Sequence, residues 1–431
     1  MKTLLSCAIM RGMIETNLAT RLEKELPAEL IDFIETAGRL AAGQGQNLYL
    51  VGGVVRDLIL NKKPNFDLDL VVEGDAVALA QELAEIKKAK ITTHPRFMTA
   101  KLTWGDFSVD FTTARSETYA KPGALPTIKP SSIEDDLFRR DFTINAIAIC
   151  LNTSRYGKLI DHCGGQSDLE QRLIRVLHEK SFIDDATRIW RGLRYEQRLD
   201  FQLEDTTLQL LKRDMPMLDT ISGDRIRYEL ECIFGEAEPE KTLRRADELG
   251  VLKGLHPALM GNGWLTKNFA KARKQSSLTP PLLGLYLALL TYQLDSEECD
   301  KLSSHLRLPK TARQIVHDAS TLKTKLKTLA YPDLPPSYVY RILHGYSPSA
   351  IAAVSLATTS PVAQQHMEIY LHKLRYVKSA LRGADLLNMG LTPGPQVKEV
   401  LAQLHEAKLD GKAVTKQDEA ALVREWLAKT T

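Results

Sequence analysis

Cysteines are few and scattered in this chain. Five occur in 431 residues, and no two of them form a Cys-x-x-Cys pair. An odd number of widely separated cysteines does not predict a disulfide framework, and without a Cys-x-x-Cys pair a zinc site is not expected. The pattern favours free thiols in a reducing cytoplasm. The five positions are Cys7, Cys150, Cys163, Cys232 and Cys299.

Long apolar runs are also missing. The most apolar internal stretch, residues 282–290, is far shorter than the ~20 residues that a membrane span requires, so we predict a buried helix and no membrane partner. An apolar run at the N-terminus ends before Arg11, which is short for a signal peptide. We interpret residues 1–12 as an extension, because Met10 and Met13 can also serve as start positions.

The net charge is small. The formal charge is +3 and charged residues make up 26% of the chain, which is typical of soluble globular proteins. The overall charge therefore does not by itself predict a nucleic-acid partner. A chain of this length is expected to form about three domains of ~150 residues each.

Hydrophobic periodicity changes near residue 165. Before this point strands alternate with short helices, and beyond it amphipathic helical patterns take over almost completely. The sequence therefore predicts an α+β head followed by an all-helical remainder, with a linker at residues 332–336. The predicted strands are 48–51, 67–72, 100–104 and 107–111, and the predicted helices include 28–42, 75–88, 168–177 and 184–199.

The first chemical motif is a predicted strand, a Gly52-Gly53 turn and a short helix, followed by a strand with Asp67 and Asp69. The two carboxylates share one face of their strand, because side chains alternate along a strand. Mg²⁺ prefers such a site, completed by substrate phosphates. The glycines let the backbone approach a phosphate, and Arg56 adds a full positive charge. The motif predicts metal-dependent nucleotidyl transfer.

A third acidic residue, Asp110, lies on a later predicted strand. It is a candidate third catalytic carboxylate near the metal ions. The alternative is a structural salt bridge, which is common for a single acidic residue of this kind.

The second motif is a dense charge cluster, residues 134–141, that runs directly into an apolar segment. Arginine suits phosphate because its planar guanidinium donates two hydrogen bonds at once. We therefore choose Arg140 as a triphosphate contact. A solvated, charged helix face is the alternative interpretation.

The third motif begins at Asp184 and Asp185 and continues with arginines at every third position. Acidic residues in a first helical turn are common because they cap the helix. A carboxylate and an arginine one turn apart can also read a base edge, accepting from an exocyclic amine and donating to a ring nitrogen or carbonyl. Asp185 with Arg188 is therefore predicted to select cytosine or adenine. The arginines are Arg188, Arg191 and Arg194.

The three motifs, in this order and spacing, resemble the class II tRNA nucleotidyltransferases, which include the CCA-adding enzymes and bacterial poly(A) polymerase. The resemblance implies a small polymerase β-like head with a mixed sheet, followed by an elongated all-helical neck, body and tail. The implied ranges are an N-terminal extension and helix at 1–45, the head at 46–165, the neck at 166–235, the body at 236–330 and the tRNA-binding tail at 331–431.

The resemblance also implies roles for individual residues. Asp67 and Asp69 would bind Mg²⁺, and Gly53, Arg56 and Arg140 would hold the nucleotide. Asp185 and the three following arginines would select incoming CTP and ATP. Asp184 departs from the family pattern, which usually has glutamate, so its role is open. The implied partners are tRNA, CTP and ATP.

The implied function is template-independent addition of CCA to tRNA by two-metal nucleotidyl transfer. The polar, turn-rich segment 115–126 matches a flexible loop that this family links to adding the terminal A, and its full length argues against a CC-only enzyme. An A-adding enzyme that depends on a separate CC-adding partner stays open. So do a poly(A) polymerase and a catalytically inactive RNA-binding relative.

Basic residues concentrate in the predicted helical half. Taken together, they are candidates for following an RNA backbone, which proteins read through phosphates and shape. They cluster in the ranges 267–274, 301–327 and 372–382.

Overall fold

The computed structural model describes residues 16–64, 66–275 and 283–430. The predicted extension at residues 1–12 lies outside these ranges. The chain divides into two compact units, one ending at Ser222 and the other beginning at Gly223. This boundary falls inside the range predicted for the neck, and the finer division into head, neck, body and tail stays a prediction.

The first unit combines a sheet with helices, as the sequence predicts. Its helices are α1 Ala19–Glu25, α2 Ala28–Gly43, α3 Gly53–Ile59, α4 Ala76–Lys87, α5 Ile133–Phe138, α6 Gly165–Gln171, α7 Ser181–Asp184, α8 Thr187–Leu199 and α9 Asp205–Asp214. Its strands are β1 Asn47–Val51, β2 Asp67–Glu73, β3 Lys90–His94, β4 Thr99–Trp104, β5 Phe107–Thr113, β6 Arg115–Thr118, β7 Thr127–Pro130, β8 Ala148–Cys150, β9 Leu159–Ile160, β10 Leu173–Ile174 and β11 Gln202–Leu203.

Seven strands form one mixed sheet in the order β3-β4-β5-β2-β1-β8-β9. Strands β2 and β5 are parallel, and every other pair in this sheet is antiparallel. The four strands predicted from the sequence are therefore confirmed at the centre of the sheet. Helix α2 packs against β1, and α4 packs against β4 and β5.

Three predicted segments differ from the structure. The segment 115–126 is not simply a loop, because β6 and β7 pair as an antiparallel hairpin. The helix predicted at 168–177 was wrong beyond Gln171, where the chain turns into β10. The helix predicted at 184–199 is interrupted, because Asp185 has extended backbone and separates α7 from α8.

The second unit is helical throughout its described residues, as predicted. The buried helix predicted in the apolar stretch is confirmed, because the helix Leu283–Leu290 has no exposed residue. None of the helices in the described ranges combines the length and apolarity needed to cross a bilayer. The helices are α10 Gly223–Phe234, α11 Pro239–Glu248, α12 Val251–Leu255, α13 Gly263–Gln275, α14 Leu283–Leu290, α15 Ser296–His305, α16 Lys310–Lys323, α17 Leu326–Leu329, α18 Pro336–Leu343, α19 Pro348–Ala357, α20 Pro361–His372, α21 Gly383–Asn388, α22 Pro395–Leu409 and α23 Lys416–Thr430.

Candidate active site

The glycine turn between β1 and α3 forms one wall of the site. Gly52 has φ of +77°, a conformation that favours glycine. A Cβ atom added there would lie 3.4 Å from Asp69 Oδ2 and 3.5 Å from Arg140 Nη1. The turn therefore brings backbone, a carboxylate and a guanidinium together, although these residues are far apart in the sequence.

Strand β2 presents the two predicted metal ligands on one face. Asp67 and Asp69 are exposed, whereas Leu68 and Leu70 between and beyond them are buried. In the parallel pairing of β2 with β5, Asp69 lies directly opposite Asp110. The register of the strands therefore places the three predicted carboxylates close together on one face of the sheet.

The surroundings of Asp69 disfavour the charged form of its carboxyl group. Protein atoms around the solvent-accessible Asp69 reduce its hydration, and this raises the pKa of its carboxyl group. Arg140 opposes the rise, and the charges of Asp110 and Asp67 add to it. Asp110 also accepts a 2.9 Å hydrogen bond from Lys101 Nζ, so the salt bridge considered from the sequence is present.

A divalent cation fits this donor set. Within the ranges that the structure describes, no three acidic, histidine or cysteine side chains already converge as a closed metal cluster. Two exposed carboxylates suit a cation that takes its remaining oxygens from substrate phosphates and water. Burial, followed by the charges of Asp110 and Asp67, raises the pKa of Asp69, and a bound cation would oppose this rise.

Arg140 is held toward the glycine turn by a buried acid. Its Nη2 donates to Asp136 Oδ2 at 3.0 Å. The same carboxylate accepts two hydrogen bonds from Arg139, at 2.9 and 2.7 Å. Asp136 is completely buried. Burial alone would raise its pKa, but the two arginines outweigh that effect and lower it. Asp136 is therefore ionised and fixes both guanidinium groups.

Arg56 is buried and contacts other protein residues, whereas the sequence predicts that it contacts the nucleotide. Its Nε donates to Asp57 Oδ1 and its Nη1 donates to Asn145 Oδ1, both at 2.9 Å. Its guanidinium also lies 5.6 Å from the centre of the Tyr195 ring. Arg56 thus ties α3 to the segment after α5 and to α8, and its contact with nucleotide stays a prediction.

Two arginines of α8 dock onto the segment that carries Arg140. Arg188 Nη2 donates to the backbone carbonyl of Arg139 at 2.7 Å. Arg191 forms a 2.7 Å ion pair with Asp141. These two contacts link the predicted base-selecting helix to the predicted triphosphate site. Arg194 lies 5.0 Å from the ring centre of Tyr195, its neighbour on the same helix.

The acidic pair before α8 has two different environments. Asp185 Oδ1 accepts from the backbone N–H and the hydroxyl of Thr187, at 3.0 and 2.6 Å, so it bonds to the first residue of α8, whereas Ala186 occupies the N-cap position. Asp184 Oδ2 lies 4.0 Å from His178 Nε2. The structure thus gives Asp184 a neighbour that the sequence did not suggest.

Two protein families match parts of this chain. Residues 48–175 match the family described as the poly A polymerase head domain. Residues 200–261 match the family described as the probable RNA and SrmB- binding site of polymerase A. An A-adding tRNA nucleotidyltransferase from Halalkalibacterium halodurans is 32% identical over 418 residues, covering 95% of this chain and 96% of the relative.

The chain belongs to the class II tRNA nucleotidyltransferases.

Two further similarities place it within this family. An A-adding tRNA nucleotidyltransferase from Geobacter sulfurreducens is 34% identical over 416 residues, which cover 92% of this chain but only 47% of the relative. The chain therefore spans about half the length of that relative. A solved apo structure of a CCA-adding enzyme has a TM-score of 0.81 and 31% identity, covering 96% of this chain and 100% of the other. The predicted fold class is confirmed.

The sequence did not predict the residues that support the arginines of this tRNA nucleotidyltransferase site. Glu117, in the β6–β7 hairpin, accepts hydrogen bonds from Arg139 at 2.9 Å and from the Tyr119 hydroxyl at 2.8 Å. Asp136 and Tyr195 were also missed. Asp136 and Tyr195 lie close in the sequence to the predicted site residues Arg140 and Arg194, but Glu117 does not. Proximity of this kind does not distinguish a supporting residue from an ordinary polar or aromatic one.

Two of the basic residues considered for RNA contact have structural partners. Arg273 forms two 2.6 Å hydrogen bonds with the buried Glu240. Lys323 Nζ donates to the backbone carbonyls of Tyr292 and Leu294, each at 2.8 Å. These two side chains hold helices of the second unit together, so the basic clusters are not uniformly available to RNA.

Proposed function

We propose that this chain transfers AMP from ATP to the 3′ end of tRNA, and CMP from CTP in the steps that precede it. The observation that carries the proposal is the meeting of Asp69, Gly52 and Arg140 at one point. A nucleotidyl transfer site needs a carboxylate for a metal, a backbone turn that admits phosphate, and a fixed positive charge.

In the proposed reaction, the 3′ hydroxyl of the RNA attacks the α-phosphorus of the bound nucleotide. The new phosphodiester bond forms as the bond to pyrophosphate breaks, and the hydroxyl proton passes to solvent water. Arg140, oriented by Asp136, would bind the triphosphate and stabilise negative charge on the departing pyrophosphate. Gly52 would leave room for a phosphate oxygen next to Asp69.

The divalent cation of this chemistry is proposed to be Mg²⁺, held by Asp67 and Asp69. When bound, it would lower the pKa of the attacking hydroxyl and neutralise charge on the phosphates. Asp110 would contribute to the same negative site, with Lys101 moderating its charge.

Base selection is proposed for Asp185 and Arg188 at the start of α8. Arg188 is buried and is fixed by the carbonyl of Arg139, so its guanidinium has little freedom to change orientation. A rigid donor beside a carboxylate favours bases with an exocyclic amine next to an acceptor, as in cytosine and adenine.

A second candidate is an enzyme that adds only the terminal A. It is favoured by the relatives at 34% and 32% identity, which are named A-adding enzymes. The structural neighbour at 31% identity is named a CCA-adding enzyme. Both candidates share the transfer of AMP to a CC-ended tRNA, and they differ in whether CTP is also used.

The deciding experiment uses the purified full chain with three tRNA transcripts that end before CCA, after C, and after CC. CTP and ATP are supplied separately and together. Completion of all three transcripts would establish CCA addition. Extension of only the CC-ended transcript, by a single A, would establish the A-adding activity.

Two further outcomes would contradict the proposal. Long adenosine tails on unrelated RNA would indicate a poly(A) polymerase. Tight tRNA binding without extension of any transcript, at any divalent cation tested, would indicate an inactive RNA-binding relative.

A further inference from the structure

An exposed aromatic pair lies beside the residues of the candidate site. Phe138, at the end of α5, is 55% exposed. Its ring stacks on the imidazole of His178, with centroids 5.9 Å apart and planes inclined by 25°. The pair presents a flat π surface to solvent rather than filling a core.

Both members of the pair lie close to residues of the predicted nucleotide-binding motifs, Phe138 along the chain and His178 in space. Phe138 immediately precedes Arg139, whose carbonyl holds Arg188, and lies two residues before Arg140. On the other side, His178 faces Asp184 at 4.0 Å. The aromatic pair therefore lies between the segment that carries Arg140 and the start of the base-selecting helix.

Because the aromatic pair carries no charge, it is suited to stacking on the uncharged aromatic ring of a ligand. Burial and then the charge of Arg188 lower the pKa of His178, so its imidazole is neutral at pH 7. A neutral imidazole stacked on a phenyl ring offers a π face without adding charge. The arginines nearby favour phosphate groups, and aromatic rings next to basic side chains are the combination that binds single-stranded nucleic acid.

We propose that Phe138, backed by His178, is a stacking platform for a nucleobase at the reaction site, an inference that rests on the proposed function. The base belongs either to the incoming nucleotide or to the 3′ end of the RNA. Asp184 borders this platform on the side of His178, with its Oδ2 4.0 Å from His178 Nε2.

The test compares Phe138→Ala and Phe138→Trp with Phe97→Ala in the full chain. Phe97 is another exposed phenylalanine of the same unit, 43% exposed. The KM for ATP is measured at saturating CC-ended tRNA, and the KM for that tRNA at saturating ATP. Loss of a base stack is expected to raise one KM on the order of 10-fold in Phe138→Ala. Phe138→Trp should stay close to the wild type, and Phe97→Ala should be unchanged.

The two KM values separate the two sources of the base. A higher KM for ATP alone assigns the platform to the incoming nucleotide, and a higher KM for tRNA alone assigns it to the RNA end. A rise in both indicates a base held between them. Unchanged KM values in Phe138→Ala would refute the stacking platform. A kcat that falls equally in Phe138→Ala and Phe138→Trp, with no change in either KM, would also refute it.

A direct binding measurement keeps this inference separate from the proposed function. ATP, and a single-stranded RNA ending in CC, are titrated into wild-type protein and into Phe138→Ala by isothermal titration calorimetry. A Kd for either ligand that rises about 10-fold in the variant supports stacking even if no tRNA is extended. Equal Kd values for both proteins refute it, whatever the catalytic result. Phe138→Leu, which keeps an apolar side chain, replaces Phe138→Ala if that variant does not fold.

Discussion

Asp136 connects more of the candidate site than any residue chosen from the sequence. Its carboxylate accepts hydrogen bonds from both Arg139 and Arg140. The backbone carbonyl of Arg139 in turn accepts a hydrogen bond from Arg188. One buried charge thus orients both the predicted triphosphate contact and the predicted base reader. Since both arginines depend on the same carboxylate, a change at Asp136 should affect nucleotide affinity and base choice together.

Asp136→Asn should lower kcat/KM for the incoming nucleotide roughly 10- to 100-fold, because a hydrogen bond to a charged group contributes about 1.5–3 kcal/mol. The KM should rise and discrimination against GTP and UTP should weaken. Steady-state incorporation with each nucleotide measures both effects. The control is Asp135→Asn, an exposed neighbour bonded to the Ser131 hydroxyl, which should behave like the wild type. A loss of stability without any change in base choice would contradict the shared role.

Asp67→Asn should abolish incorporation while leaving tRNA binding nearly intact, because the substitution removes a charge from the predicted metal site without changing its shape. Incorporation is measured with radiolabelled nucleotide, and tRNA binding by filter retention. The control is Asp106→Asn, an exposed acidic residue between β4 and β5. If Asp67→Asn lost RNA binding but still extended bound tRNA, the metal assignment would be wrong.

Arg188→Ala should relax base choice more than it weakens triphosphate binding, because the guanidinium is predicted to contact the base edge. The readout is the ratio of kcat/KM for ATP to that for GTP and UTP. A drop of roughly 10-fold or more in this ratio is expected, since a bidentate base contact contributes about 1–3 kcal/mol of discrimination. Arg198→Ala, exposed on the same helix, is the control. An unchanged ratio would count against base reading by Arg188.

At the scale of whole elements, local signals at the helix starts are clear in the sequence. Asp75 caps α4, accepting from the backbone N–H groups of Val77 and Ala78 at 3.0 Å each. The sequence predicted this helix with Asp75 near its start. The interruption between α7 and α8 falls at Asp185, which takes an extended backbone conformation. Its side chain accepts from the backbone N–H of Thr187, the first residue of α8.

Asp75→Ala should destabilise the first unit by about 1 kcal/mol, the usual contribution of an N-cap side chain. Two backbone N–H groups of α4 would lose their protein partner. Urea unfolding followed by circular dichroism measures the change. Glu85→Ala, an exposed residue later in the same helix, should shift the midpoint much less. Equal shifts in the two variants would show that capping is not the cause.

At the scale of the whole molecule, buried carboxylates with lowered pKa values set the response to acid. Asp141 in the first unit is held ionised mainly by Arg191 and Asn145, which outweigh the effect of its burial. In the second unit, Glu419 accepts from the backbone N–H groups of Ala380 and Leu381 and from Lys408. These bonds outweigh burial and lower its pKa.

Stability should therefore fall in acid. The folded protein holds protons on these carboxyl groups less tightly than the unfolded chain does, so their contribution is complete above the ordinary values of 3.8 and 4.5. It is lost as the pH falls through the lowered values. The free energy of unfolding, measured by urea denaturation between pH 7 and pH 3, should decline most steeply below about pH 4.

Glu419→Gln isolates one part of this acid response. The variant should be destabilised at pH 7 by about 1–3 kcal/mol, because a buried charge-assisted acceptor is lost. Its stability should also depend less on pH in the acid range. Asp333→Asn, an exposed residue in the linker before α18, should follow the wild-type curve. A variant whose pH dependence equals that of the wild type would exclude Glu419 as a contributor.

The sequence by itself determined the four central strands of the sheet and the local geometry of the first motif. Alternation along β2 placed Asp67 and Asp69 on one face, and the Gly52 turn required a residue tolerant of positive φ. These features follow from backbone geometry that extends over a few residues, so a sequence pattern is sufficient to predict them. Apolar periodicity separated the mixed sheet from the helical part for the same reason.

Only the tertiary structure decided which distant residues meet. The pairing of β2 with β5 set Asp69 opposite Asp110, and burial turned Asp136 into the shared partner of two arginines. Strand register and burial depend on packing across the whole unit, which no local pattern encodes. For the same reason, the stacking of Phe138 on His178 became visible only when the chain segments that carry them were brought together.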